Sequence, residues 1–243
     1  MSNFWKLKIS FLQCINLIII FASALHANIE DDSDSTKFVI HTFQMASEDS
    51  MCVIDINYPE LLSLKDKFMQ DTLNRFLKNE FIHEDEIDIS DCDPDIGSTL
   101  EINCYVEFNS SDLISIVQYF YKFNGGAHGY YGHDGYNLDL NAGKLLMLTD
   151  IIDSKKLYEL TSLLEKKMIE EFEVERFTDI GLFEEKLTIS AEQDFYLTNN
   201  ALVIEFDPYE IGPYVMGDVE ILLPWNEIEN LMVSDFKLKK LEQ

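Results

Sequence analysis

Basic residues are scarce in this 243-residue chain: 18 Lys and Arg stand against 45 Asp and Glu, a formal net charge of −27. A surface of that sign repels nucleic acid and anionic lipid. It favours encounter with a strongly basic partner, steered by a field that salt weakens. Catalytic signatures are missing as well. There is no nucleophile-elbow pattern, no phosphate-binding P-loop, no dinucleotide fingerprint and no helical His pair of metalloprotease type. Neither an internal repeat nor a coiled-coil pattern occurs. The expectation is therefore a protein that is not an enzyme and carries no cofactor, and attention turns to binding.

What is present is enough apolar material, 47% with 12% aromatics, for a sizeable core. Residues 1–27 read as an export signal: Lys6 and Lys8 precede an apolar run over 9–25, which closes in small residues around Ala22, Ser23, Ala24 and Ala27. The alternative is a retained anchor, but the run is interrupted by Gln13, Cys14 and Asn16 and falls short of the roughly 20 apolar residues that span a bilayer well. Cleavage would place the protein in a periplasm or outside the cell. The remainder then has 16 Lys and Arg against 45 acids, a formal charge of −29. Residues 28–36 form an acidic spacer, and order is expected to begin near Lys37.

Three cysteines follow the leader: Cys52, Cys92 and Cys104. An oxidising compartment predicts one disulfide and one leftover thiol. The turn-rich stretch from Asp93 to Gly97 favours Cys92 with Cys104, and Cys52 with Cys104 stays open if their strands are neighbours.

The periodicity gives an α+β reading, a mostly antiparallel sheet with two long helices and a short C-terminal helix. β-rich runs at 37–45 and 51–57 flank the turn residues 47–50, and Tyr58-Pro59 is expected to end the second strand. Leu61, Leu64, Phe68, Met69, Leu73, Phe76 and Leu77 fall at helical spacing over 61–81. Strand character resumes at 100–108. The run 113–123 is apolar on both faces and reads as a central strand. A strand over 136–140, a second helix over 156–172, strands at 195–197, 202–206 and 219–223, and a short helix opened by Pro224 complete the chain.

Two Gly-, Pro- and Tyr-rich segments carry the functional expectation. Residues 121–135 and 206–217 each begin at or just after a strand-like run, so each should be a loop held by a rigid sheet. In the first, glycines would expose Tyr130, Tyr131 and Tyr136, whose rings give large contact area at low rotamer cost. In the second, Pro208 and Pro213 pre-shape the loop that presents Tyr209 and Tyr214; both rings packing under the loop as core is an equal alternative. His128 and His133 with Asp134 invite a metal or acid/base reading. No third ligand is identifiable, so the expectation is no metal site and a His128 that hydrogen-bonds the backbone. Asp91, Asp93 and Asp95 start like an EF-hand loop, but Gly97 falls one place late, Pro94 intrudes and the twelfth position is Ile102.

The ordered string Gly125-Gly126-Ala127-His128, Asn137-Leu138-Asp139, Gly143-Lys144, Leu148-Thr149-Asp150, Phe195-Tyr196-Leu197-Thr198 and Pro208-Tyr209-Glu210-Ile211-Gly212-Pro213-Tyr214 resembles the exported domain of the RsiV family. The upstream part, with Tyr58-Pro59 and the helix containing Asn74, is similar to the small domain that precedes it there and in PdaC-type cell-wall proteins. The resemblance divides the chain into a PdaC-like subdomain at 37–110 and an RsiV-like subdomain at 111–243. It implies an extracytoplasmic sensor or binding module, in its best-known member a receptor for lysozyme, a basic protein that suits the acidic charge. His128, Tyr130, Tyr131, Tyr136, Pro208, Tyr209, Pro213 and Tyr214 are the expected contacts. Only eight residues precede the apolar run, so the family's cytoplasmic anti-sigma segment and its control of a sigma factor do not carry over, nor does a PdaC-type deacetylase domain. The alternative is a glycan-binding or peptidoglycan-modifying accessory of the cell wall.

Overall fold

A computed structural model describes residues 35–82, 93 and 95–236. The expected leader, the acidic residues 30–34, Asp91 and Cys92 lie outside the described residues.

The fold is α+β. Strands β1 (Lys37–Ala46), β2 (Cys52–Leu62), β3 (Ser98–Asn109), β4 (Leu113–Phe123), β5 (Tyr130–Asp139) and β6 (Lys144–Leu145) form one sheet in that spatial order. All neighbours are antiparallel except β2 and β3, whose parallel pairing needs a crossover connection. Helix α1 (Lys67–Phe81) supplies it. A second sheet holds β7 (Phe195–Leu197), β8 (Ala201–Phe206) and β9 (Val219–Pro224), antiparallel throughout. The remaining helices are α2 (Leu148–Ile151), α3 (Leu157–Glu171) and α4 (Trp225–Ile228). Among the described residues no helix is long and apolar enough to cross a membrane.

Two hydrophobic cores follow from the strand alternation. Ile114, Ile116, Tyr136 and Leu138 turn one face of the first sheet toward Leu73, Leu77 and Phe81 of α1. Leu202, Ile204, Phe206, Ile221 and Leu223 turn one face of the second sheet toward Leu160, Leu164 and Met168 of α3 and Trp225 and Ile228 of α4. The other faces meet each other at Val117, Tyr196 and Val203. The layers thus run helix, sheet, sheet, helix.

The interface between the sheets is fastened by polar side chains. Ser115 and Asn137 are fully buried; Asn137 Nδ2 donates to the Phe195 carbonyl at 2.8 Å, Leu197 N–H donates to Ser115 Oγ at 2.9 Å, and Ser115 Oγ donates to Asn137 Oδ1 at 2.6 Å. Together they satisfy backbone groups of the short edge strand β7. Gly135 makes this approach feasible, because a Cβ there would lie 2.0 Å from the Phe195 carbonyl oxygen.

Several boundaries differ from the sequence reading, each for a tertiary reason. β2 continues through Pro59 to Leu62, since it pairs with β1 along its length but with β3 only as far as Ile56, the setting in which a strand tolerates proline. Leu61 therefore belongs to the strand, and α1 begins after Asp66, whose carboxylate accepts from Met69 N–H at 3.1 Å. Asn74 of α1 then holds Leu61 through both its N–H (2.8 Å) and its carbonyl (2.9 Å). Phe68 points to solvent rather than to the core, at 82% exposure. Ahead of β1, Thr36 is buried and bonds Asn109 and the Ser110 carbonyl.

The expected Cys92–Cys104 disulfide does not form, because Cys104 carries a free thiol. β3 starts at Ser98 and carries Cys104 about 20 Å along the strand at ~3.3 Å per residue. Bridged cysteines need Cα atoms within about 7 Å of one another. Cys52, at the start of β2 and level with Ser98, is the disulfide-bonded residue. Burial pushes the Cys104 thiol up to about 12.

Candidate functional site

The segment read as one long loop is half strand. β5 begins at Tyr130 and pairs with β4 from Lys122↔Tyr130 to Leu113↔Asp139, leaving only residues 124–129 as the connection. This regular ladder sorts the tyrosines by face. Tyr136 faces α1, where it packs against Phe76 and Phe81 and donates to Gln118 Oε1 at 3.0 Å. At 7% exposure it is a core residue, not the exposed contact expected of it. Tyr130 lies on the same face, exposed, beside Phe120.

Tyr131 and His133 face the opposite way, and there the two Tyr-rich segments meet. The His128 ring stacks on Tyr214 with centroids 3.9 Å apart and planes at 21°. Tyr131 meets the same ring edge-on at 5.7 Å, and Tyr209 lies tilted against it at 5.5 Å. Tyr119 of β4 extends the row, stacked on Tyr131 at 6.4 Å and meeting His133 edge-on at 4.7 Å. The Tyr214 hydroxyl donates to the Gly129 carbonyl at 2.9 Å, which ties the loops together, and His128 Nδ1 bonds the same carbonyl, as the backbone-bonding reading of His128 anticipated.

The second loop is shaped from within. Asp207 N–H donates to Glu210 Oε2 at 3.0 Å while Glu210 N–H donates back to the Asp207 carbonyl, closing a tight turn. Pro208 is buried in it. Tyr209 adopts φ +74°, a left-handed conformation that costs a non-glycine residue about 1–2 kcal/mol. Its ring is 51% exposed, so both alternatives hold in part: Tyr209 is presented to solvent and Tyr214 is half packed beneath it. Half-buried Pro213 precedes a 3-10 turn, Tyr214–Met216, whose Met216 N–H returns to the Pro213 carbonyl.

Carboxylates crowd the edge of this ring row. Asp207 Oδ1 accepts the His133 N–H at 2.9 Å on the edge of β5 away from β4, where β6 does not reach, and a Cβ at Gly132 would collide with that carboxylate at 2.4 Å. Burial above all, then Asp134 and Glu210, lifts Asp207 to about 6 against the pull of the His133 hydrogen bond. Glu205 is 2% exposed, and neither carboxylate oxygen has a hydrogen-bond partner. Burial, then Glu220, Asp194, Asp207 and Asp134, drives it to about 9. Of the residues expected to act, the fold brings together His128, Tyr131, Tyr209 and Tyr214, frames them with Pro208 and Pro213, and sends Tyr130 and Tyr136 to the far face of the sheet. Tyr119, Glu205, Asp218 and Glu220 went unread. For Glu205 a signal existed: one acid in the otherwise apolar strand Ala201-Leu202-Val203-Ile204-Glu205-Phe206.

Comparison with known proteins accords with this architecture. Residues 149–226 match the family model DUF3298, a protein family of unknown function, and residues 45–131 match the model Deacetylase PdaC. The chain is thus similar to PdaC over one region and to DUF3298 over the next, and it is RsiV-like. Over 49 residues it is 45% identical to the anti-sigma-V factor RsiV of Bacillus subtilis (strain 168); the match spans 20% of this chain and 17% of that relative. A DUF3298 family member from Bacteroides fragilis NCTC 9343 superposes with a TM-score of 0.68 at 20% identity, over 87% of this chain and 99% of its own. A DUF3298 family protein from Pseudomonas aeruginosa PAO1 does so with a TM-score of 0.62 at 18% identity, over 84% and 96%. At these identities the two structures share the fold alone.

Proposed function

We propose that this RsiV-like chain is an extracytoplasmic binding module that recognises a basic, lysozyme-like muramidase, acting by occupancy and not by catalysis. The observation that carries the reading is the row of His128, Tyr214, Tyr209 and Tyr131 at the meeting of two loops, with Asp207, Glu210 and Asp218 around it. Rigid aromatic rings supply desolvated contact at low entropic cost, and the acidic rim complements a basic partner. The preceding leader delivers the module to a periplasm or to the exterior.

The test is titration calorimetry and surface-binding kinetics of the processed chain with a basic lysozyme. Saturable binding at low salt is expected, with association slowed by added salt. Absence of saturable binding at low salt overturns the muramidase reading. The PdaC match keeps a second reading, attachment to cell-wall glycan, and co-sedimentation with purified peptidoglycan in the absence of lysozyme would replace the first by it.

A further inference from the structure

Among the described residues, His133, Asp218 and Glu220 offer three ligand atoms that all lie within 4.8 Å of one another. They come from both sheets. His133 is on β5, on the face that Gly135 and Asn137 press against β7, and Glu220 is on β9 with Asp218 just ahead of it. His133 Nε2 is 3.9 Å from Asp218 Oδ2. Of the residues His128, His133 and Asp134 singled out in the sequence only His133 belongs to the set, and its two partners come from β9 and the residue just ahead of it, some eighty residues away.

A second observation points into the same place. Glu205 stands directly opposite Glu220 in the β8–β9 ladder, so the two side chains share a face. Glu205 is almost wholly buried with both oxygens unpartnered. Buried carboxylates in folded proteins are paired, hydrogen-bonded or bound to a metal, because an uncompensated one is costly. No Lys or Arg is paired with Glu205, Asp218 or Glu220 among the ion pairs of the described residues.

We propose that His133, Asp218 and Glu220, backed by Glu205, form a site for a divalent transition-metal ion between the two sheets, with Zn2+ the ion its donors suit best. One imidazole nitrogen with carboxylate oxygens is a zinc-type donor set, whereas Ca2+ and Mg2+ take oxygen donors. Bonds of about 2.0–2.2 Å to a common ion draw the donors closer than 4.8 Å. Asp218 and Glu220 are exposed and can close on the ion, Glu220 by giving up its hydrogen bond with the Tyr196 hydroxyl, while His133 is held: its backbone N–H is bound by Asp207 and its ring lies edge-on to Tyr119. The ion ties β9 to β5 and steadies the segment 214–218 that carries Tyr214.

Tag-free protein, stripped with chelator and dialysed, is titrated with Zn2+ alone, by calorimetry and by thermal unfolding. One ion per chain and a Tm that climbs with Zn2+ concentration are expected. Asp218→Asn and Glu220→Gln, both at the surface, each weaken binding about ten-fold or more. Glu205→Gln removes a buried acid, so it raises the Tm of the stripped protein while shrinking the rise that Zn2+ produces; a merely structural residue does not move the two in opposite senses. No saturable heat with Zn2+, or binding that neither surface variant weakens, overturns the site. An equal Tm rise with Ca2+ overturns the class of ion. None of these readings needs lysozyme, so the metal site stands or falls apart from the partner.

Discussion

The Tyr214 hydroxyl donates to the Gly129 carbonyl at 2.9 Å, across 85 positions of sequence, and this bond fixes the β8–β9 loop to the β4–β5 loop. Tyr214→Phe keeps the ring that stacks on His128 and removes only the bond. The expected loss is about 1 kcal/mol of unfolding free energy, read from urea denaturation, with the Tyr131 and His128 ring resonances little moved. An unchanged midpoint would mean that water replaces the hydroxyl at no cost.

Gly135 lies directly against the backbone of β7. A Cβ 2.0 Å from the Phe195 carbonyl meets backbone and not a movable side-chain tip, so β7 must lift away from β5. That lift would break the Asn137–Phe195 and Ser115–Leu197 bonds as well. Gly135→Ala is expected to destabilise by about 3 kcal/mol or more, combining overpacking with unpaired buried groups. Gly126→Ala, with no atom within 4 Å of the added methyl, is the control; its only penalty is the positive φ. Equal effects of the two changes would show that the sheets yield easily.

Much of the fold was legible because it rests on local periodicity. The hairpin of β1 and β2, the buried spacing Leu73, Leu77, Phe81 and the two-faced apolar run of β4 could each be read within one window of sequence. What escaped depends on partners far away. Tyr130 to Gly135 lacks strand composition and becomes strand because β4 offers a complete ladder. Once it is strand, alternation buries Tyr136 and turns Tyr131 and His133 to the other side. The site shows the same division: the two Tyr-rich segments could be singled out by composition, but their stacking on one another and the approach of Asp218 and Glu220 to His133 are tertiary facts.

The thiols give a chemical check. Cys104 is half-buried in β3, and burial raises its thiol to about 12, so little thiolate is present at neutral pH. Native protein at about pH 8, below the ordinary thiol value near 8.5, should leave Cys104 unalkylated, whereas unfolding in denaturant without reductant should label it fully. Non-reducing peptide mapping should then find Cys104 alone and Cys52 in a linked peptide. A linked Cys104 would contradict the strand assignment of β3.

Asp150 accepts from the Met147 N–H at 2.9 Å and from the Lys144 ammonium at 2.8 Å. Burial raises its pKa, but the hydrogen bonds from Lys144 and the Met147 N–H, with the Lys144 charge, prevail and hold it below the ordinary carboxylate value. The unfolded chain therefore takes up the proton first as pH falls. The stabilisation is complete above the unfolded value near 3.9 and is lost as pH falls through the depressed folded one. Asp150→Asn should cost about 0.5–1 kcal/mol at neutral pH, a partly exposed pair being screened, and the deficit should close in acid. Urea unfolding at neutral and at acid pH decides it; a deficit that persists in acid would assign the effect to the Met147 N–H bond and not to the charge.

Tyr209 combines a left-handed φ of +74° with a ring half open to solvent. Strain held at an exposed aromatic is not repaid by burial, and such outliers gather at recognition sites. Two replacements separate the strain from the ring. Tyr209→Ala drops the ring and keeps the penalty, while Tyr209→Gly drops both and pays only the entropy of a freer unfolded chain. The glycine variant should therefore be more stable than the alanine variant by up to about 1 kcal/mol. Toward a basic lysozyme the two should fail alike, with faster dissociation worth about 2 kcal/mol if the ring is a hot spot and unchanged association, since the charge is the same. Alanine more stable than glycine would refute the backbone conformation, and a glycine variant that binds as the parent does would remove Tyr209 from the contact surface.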